Sequence, residues 1–241
     1  MFAKLTTKIA LRKAGIPSSA LSLPEYQGSK DPNASPFANV SNPFANLTVP
    51  NSLKSWATPP PPPVEIAPAP TLGTRAPGTN KLRLPVEDGR PSIVVFLRHC
   101  GCPFAEKTFL DLRRLANKFP RVNFIAVSHS SQKATEKWLS QIGGKWAVTV
   151  IVDEEREVYA CWGLGLSTTY HLLNPWTQIA ARKLGTQEGL WGREVDSSGN
   201  RWQIGGSWAT DETGVIRWGA VSKTADDIPD LVEACKSLGA Y

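Results

Sequence analysis

The run Ile93-Val94-Val95-Phe96-Leu97 leads straight into Arg98-His99-Cys100-Gly101-Cys102-Pro103, and no other stretch constrains the chain so tightly. An unbroken apolar, largely β-branched run reads as a strand buried on both faces. From Phe104 the period changes: Phe109, Leu112, Ala116 and Phe119 fall on one helical stripe. Proline at a first helical position costs little, because its missing N–H would have been an orphan donor. Cys102 is therefore expected at the N-cap of a helix over 104–118, directly behind a central strand. The helix N-terminus formed by Pro103, Phe104 and Ala105 turns its positive dipole end on the sulfur. Arg98 and His99 are the expected cationic neighbours, and such surroundings favour thiolate over thiol.

Downstream, strand and helix patterns alternate. Residues 121–128 read as a second strand and 131–142 as a helix ended by Gly143-Gly144. Residues 148–152 read as a third strand, and Asp153 as the cap of a helix that turns Val158, Cys161 and Trp162 inward. This alternation implies a parallel or mostly parallel sheet covered on both faces. Residues 166–204, with His171, Asn174-Pro175-Trp176 and a short helix near 177–184, break the rhythm as an insertion over part of the sheet or site. A hairpin follows, with strands over 207–210 and 215–221 joined by Asp211-Glu212-Thr213-Gly214. The final helix is expected over 225–238, capped by Thr224 or a near neighbour.

Charge divides the chain of 241 residues: residues 1–84 hold nine Lys or Arg against three Asp or Glu, and residues 85–241 hold eighteen of each. A neutral globular part argues against nucleic-acid binding, which needs a concentrated basic face. No apolar run is long enough to span a bilayer. Four cysteines are too few for a disulfide scaffold, so free or redox-active thiols in a reducing compartment are the expectation. Residues 1–24 are basic and amphipathic with no acid before Glu25, and two readings stay open: a mitochondrial presequence, or a basic tail on a cytoplasmic protein. Residues 25–85, rich in Pro, Ser, Asn and Ala, are expected to be a disordered linker, with 59–63 a polyproline spacer. The folded domain is expected over 86–241.

The order strand–helix–strand–helix–strand–helix–hairpin–helix, with a cysteine at the first strand-to-helix turn, resembles the thioredoxin fold in its peroxiredoxin-like form. The similarity is to the alkyl-hydroperoxide-reductase/thiol-specific-antioxidant group, on Arg98-His99-Cys100-Gly101-Cys102-Pro103-Phe104, on Asp153 through Ala160 to Gly163, and on Gly205-Gly206-Ser207-Trp208 leading to Asp211 and Gly214-Val215-Ile216-Arg217. It implies an α/β, three-layer, thioredoxin-like domain, its mixed central sheet flanked by helices and its insertion placed before the C-terminal hairpin. It further implies a thiol-dependent oxidoreductase in which Cys102 reduces a peroxide. No bound cofactor or metal is implied, only an external thiol reductant such as glutathione or thioredoxin. A homodimer is left open. Two positions depart from the family pattern: Val95 stands where a proline is usual, and His99 where a Thr or Ser is usual.

Cys100 admits two readings, a resolving thiol for Cys102 or a buried residue closing the strand. Cys161 and Cys235 sit on apolar helical stripes and read as core, and His129 and His171 as structural or surface residues. Two other functional classes remain beside the peroxidase: thiol–disulfide or other cysteine-based transfer on a small organic substrate, and a non-catalytic thioredoxin-fold binding module.

Overall fold

The computed structural model describes residues 62–167, 175–193, 196 and 198–240. Its elements, in chain order, are β1 (Ser92–Phe96), α1 (Pro103–Lys118), β2 (Asn123–Ser128), α2 (Gln132–Gln141), β3 (Thr149–Val152), α3 (Glu157–Cys161), α4 (Pro175–Glu188), β4 (Gly206–Thr210), β5 (Ile216–Val221) and α5 (Leu231–Ser237). The strands form one sheet in the order β3-β2-β1-β4-β5. β1 and β2 pair in parallel, as do β2 and β3, whereas β4 runs antiparallel to both β1 and β5. The sheet is therefore mixed, with the βαβ units on one side of β1 and the hairpin on the other.

Every residue of β1 is buried, as the apolar run requires. Alternation sorts its side chains between two cores. Ile93 and Val95 join Phe109, Leu112, Phe124 and Trp138 on the face covered by α1, α2 and α5. Val94 and Phe96 join Val127, Tyr159, Trp162 and Trp208 on the face covered by α3. Phe96 touches three of those aromatic rings, at centroid distances of 5.2, 5.2 and 5.7 Å. Truncating such a side chain costs about 3–5 kcal/mol.

Four local expectations need correction. Asp153 does not occupy the cap position of α3, which falls to Arg156 in a left-handed conformation. Its buried carboxylate nevertheless accepts the N–H groups of Val158 at 2.9 Å and Tyr159 at 3.2 Å, so it satisfies the helix start from outside. The last helix begins only at Leu231, because the residue before Pro229 is biased away from helical conformation. Its cap is Asp230, which accepts from the N–H groups of Val232 and Glu233. Cys161 is only half-buried at the border of the second core. α4 is longer than expected and starts on Pro175 as its first residue; His171 and Asn174 lie outside the described residues.

The larger correction concerns the linker. Residues 62–85 pack on the domain. Gly73 N–H donates to the Ile216 carbonyl, Ile216 N–H to that of Thr74 and Ala76 N–H to that of Gly214, each at 2.9 Å, which covers the start of β5. Leu82 is 2% exposed within the second core. Backbone pairing supplies part of this segment's hold, and side-chain composition does not register that.

Candidate functional site

β1 ends at the sheet centre and the chain leaves it through 97–102. Gly101 adopts φ +99°, which reverses the peptide direction. Cys102 N–H closes the turn on the His99 carbonyl at 3.1 Å, and the Glu106 N–H donates to the Cys102 carbonyl at 3.0 Å. Cys102 is thereby the N-cap of α1, with Pro103 as the first helical residue. Its side chain takes no capping hydrogen bond. The sulfur instead accepts from Arg98, whose Nη1 stands 3.3 Å away. So the turn supplies a guanidinium where the sequence pointed first to the backbone N–H groups of Phe104 and Ala105.

Arg98 is held in place from far along the chain. Its Nη2 donates to the Arg201 carbonyl at 2.7 Å, a contact across 103 residues. Its Nε has no protein partner among the described residues. The Arg201 guanidinium is half-buried, pulled down by that burial and pulled up by the Cys102 sulfur. Arg201 was not singled out from the sequence, and nothing in its local pattern marks it. Glu106 and Arg193 were missed for the same reason, and their pairing is described below.

His99 lies 3% exposed behind the turn. Its Nδ1 donates to the Cys100 carbonyl at 3.1 Å. Burial, and then the guanidiniums of Arg98 and Arg201, hold it well below the usual imidazole range. It is neutral, so the expectation of His99 as a cationic neighbour of Cys102 is corrected. Arg98 supplies the direct contact there, and the Arg201 guanidinium adds to the charge.

Cys100 faces other partners. Its thiol stands 3.6 Å from the Ser128 hydroxyl and donates to Thr135 Oγ1 at 3.9 Å. The two hydroxyls are themselves 2.9 Å apart. Burial pushes the Cys100 thiol up, against partial relief from these hydroxyls. It lines a recess of about 50 Å³ with Trp138 and Gln141. Cys102 lines a different cavity, of about 270 Å³, with Arg98, Phe104, Thr177, Ala181 and Arg201. All four cysteines are free thiols. Cys235 is buried on α5, where burial pushes its thiol up to about 11.

A cavity of about 310 Å³ between β5 and the loop before α5 contains no cysteine. The cation in it, Arg217, is paired with Asp211. Among the described residues no group of three or more His, Cys, Asp or Glu side chains is placed to hold a metal ion. Nor is any described helix long and apolar enough to cross a membrane.

A parallel βαβ core extended by an antiparallel hairpin, with a cysteine at the first strand-to-helix turn, defines a thioredoxin-fold domain. Residues 111–224 match the sequence model of the family described as AhpC/TSA antioxidant enzyme, a span that begins nine residues beyond Cys102. Over that span, somewhat under half of the chain, the sequence is similar to the AhpC/TSA group. Among solved structures it is similar to a peroxiredoxin-like protein from Aquifex aeolicus, at 14% identity over 71% of this chain and 88% of that one, with a TM-score of 0.50. A thiol peroxidase from Chromobacterium violaceum (14% identity, 71% and 88% covered, TM-score 0.44) and peroxidoxin BcpB from Mycobacterium tuberculosis (14%, 62% and 79%, 0.42) superpose more loosely and add no weight. No curated protein matches the sequence.

Proposed function

We propose that the domain reduces a peroxide through Cys102, and the 3.3 Å contact from Arg98 Nη1 to Cys102 Sγ at the N-cap of α1 carries that reading. The sulfur, as thiolate, attacks one peroxide oxygen. The S–O bond forms as the O–O bond breaks, and the departing oxygen leaves as water or an alcohol once protonated. The cysteine becomes a sulfenic acid. Arg98 stays beside the reacting sulfur throughout, where its charge favours the developing negative charge. An external thiol then displaces the sulfenic oxygen as water, forming a mixed disulfide, and a further thiol releases Cys102. Glutathione and thioredoxin are the two reductant classes that fit this scheme. His99, being neutral, serves as a packed hydrogen-bond donor to the turn.

The test is stopped-flow oxidation of the purified chain by hydrogen peroxide, with sulfenic acid trapped by dimedone and located by mass spectrometry. The label is expected on Cys102. Cys102→Ser is expected to drop peroxide consumption to the solution background. A label on another cysteine, or unchanged consumption in Cys102→Ser, overturns the assignment. Residues 1–24 are proposed, on composition alone, to direct the chain to mitochondria; a diffuse cytosolic signal from a reporter carrying them removes that proposal.

A further inference from the structure

The chain returning from α4 passes across the turn that bears Cys102. Gly192 fits there closely: a Cβ on it would lie 3.7 Å from the Gly101 carbonyl oxygen and 3.9 Å from Pro103 Cδ. Arg193 N–H donates to that same carbonyl at 3.0 Å. The Arg193 guanidinium forks onto Glu106, Nε to Oε2 and Nη2 to Oε1, both at 2.7 Å. Glu106 lies in the first turn of α1 with its side chain 3% exposed. A carboxylate so deeply buried needs a counter-charge, and a bidentate guanidinium is the geometry best matched to it. One residue thus fastens the chain on both sides of Cys102. Meanwhile Cys102 itself is only 2% exposed. Gly192 and Arg193 form part of the wall of its cavity of about 270 Å³.

We propose that Arg193 is a positioning residue that decides which molecules reach Cys102. With the fork closed, the cavity admits a small oxidant and the wall excludes a bulky thiol. Release of Arg193 from Glu106 frees the 189–193 segment and exposes the sulfur to the larger reagent. The proposal rests on Cys102 as the reacting sulfur, but its closing experiment reads access and does not require turnover.

The reduced chain is treated with iodoacetamide or with a polyethylene-glycol maleimide, and alkylation is followed at each cysteine by mass spectrometry. Arg193→Ala is expected to speed maleimide attack on Cys102 roughly tenfold, and iodoacetamide attack about twofold, as a population shift of the closed form predicts. Cys235 stays as protected as in the parent chain. Oxidation of Cys102 by hydrogen peroxide slows several-fold, since the turn is no longer fixed. Arg193→Lys, which keeps the charge and loses the fork, falls between. Should Arg193→Ala fail to fold around an unpaired Glu106, the double variant Glu106→Gln/Arg193→Ala removes the buried charge and keeps the clasp absent, so it must show the same Cys102-selective exposure. Unchanged maleimide rates at Cys102, or equal acceleration at all four cysteines, overturn the proposal. A parent chain that never consumes peroxide but shows the selective shift refutes the peroxidase reading alone.

Discussion

Cys100 and Cys102 are separated by one glycine, yet they occupy opposite chemical settings. Cys102 stands at a helix start under a guanidinium and opens on a cavity of about 270 Å³. Cys100 is enclosed by the hydroxyls of Ser128 and Thr135, beside a recess of about 50 Å³, with its thiol pushed up by burial. The reversal at Gly101, φ +99°, is what sends the two side chains to different partners. Reactivity in this turn is therefore decided by what the backbone places opposite each sulfur, and not by the cysteine spacing itself.

The heaviest blow to this contrast is to remove the cation on the Cys102 side. Arg98→Ala deletes the donor to the sulfur and the tether to Arg201, and is expected to slow oxidation of Cys102 by about 10²–10³-fold. Arg98→Lys keeps a charge but offers one nitrogen where Arg98 uses two, for the sulfur and for the Arg201 carbonyl, so it should recover only part of that loss. Stopped-flow oxidation of the two variants measures both numbers. An Arg98→Ala rate within threefold of the parent chain would leave the two cysteines distinguished by the helix N-terminus and Arg201.

The Cys102 side was readable in the sequence because it is local. A buried strand, a proline at the helix start and an arginine four residues before the cysteine all lie within one short run. What locks the site was not readable. Arg98 meets Arg201 across 103 residues, and Arg193 meets Glu106 across 87, and neither residue sits in a pattern that announces its partner. The charge on His99 was misjudged because burial, not residue type, decides it. The domain boundary was misplaced for another reason. Residues 73–76 are held by backbone pairing to β5, which leaves no mark in side-chain composition. Where a single residue imposes its own geometry, as Pro229 does before α5, the sequence held the answer and helical periodicity overrode it.

His129 joins the two sides, and protonating it is the next largest perturbation. It follows Ser128, which holds Cys100, and its Nε2 stands 3.1 Å from both the N and the O of Asn200, the neighbour of Arg201. Burial lowers it from 6.5 to about 4. The unfolded chain therefore binds a proton that the folded chain refuses. The stability this contributes is complete above about pH 6.5 and is lost as pH falls through about 4. The loss is on the order of 3 kcal/mol for one such group, and neutral His99 adds to it with the same sign. Urea unfolding midpoints across that range should fall steeply, and His129→Gln should flatten the fall. A midpoint that stays constant down to pH 4 would show that His129 is not buried as described.

The smallest effect is expected from Cys100, and its smallness is informative. Cys100→Ser places a stronger hydrogen-bonding group among Ser128, Ser130 and Thr135, so the cage stays satisfied and stability should move by no more than about 1 kcal/mol. The Cys102 sulfur keeps its contact with Arg98, so its oxidation rate should remain within about twofold of the parent chain. The decisive measurement is the second half of the cycle. If Cys100 resolved the sulfenic acid, the oxidised parent chain would lose two hydrogens in forming a Cys100–Cys102 bridge, and Cys100→Ser would stall in turnover with excess reductant. With the sulfurs committed to separate cavities, the expected product is instead a mixed disulfide on Cys102, seen equally in the parent chain and in Cys100→Ser. An internal bridge in the oxidised parent chain would mean that the Gly101 turn inverts during the reaction, and the two sides would have to be described as alternating states of one site.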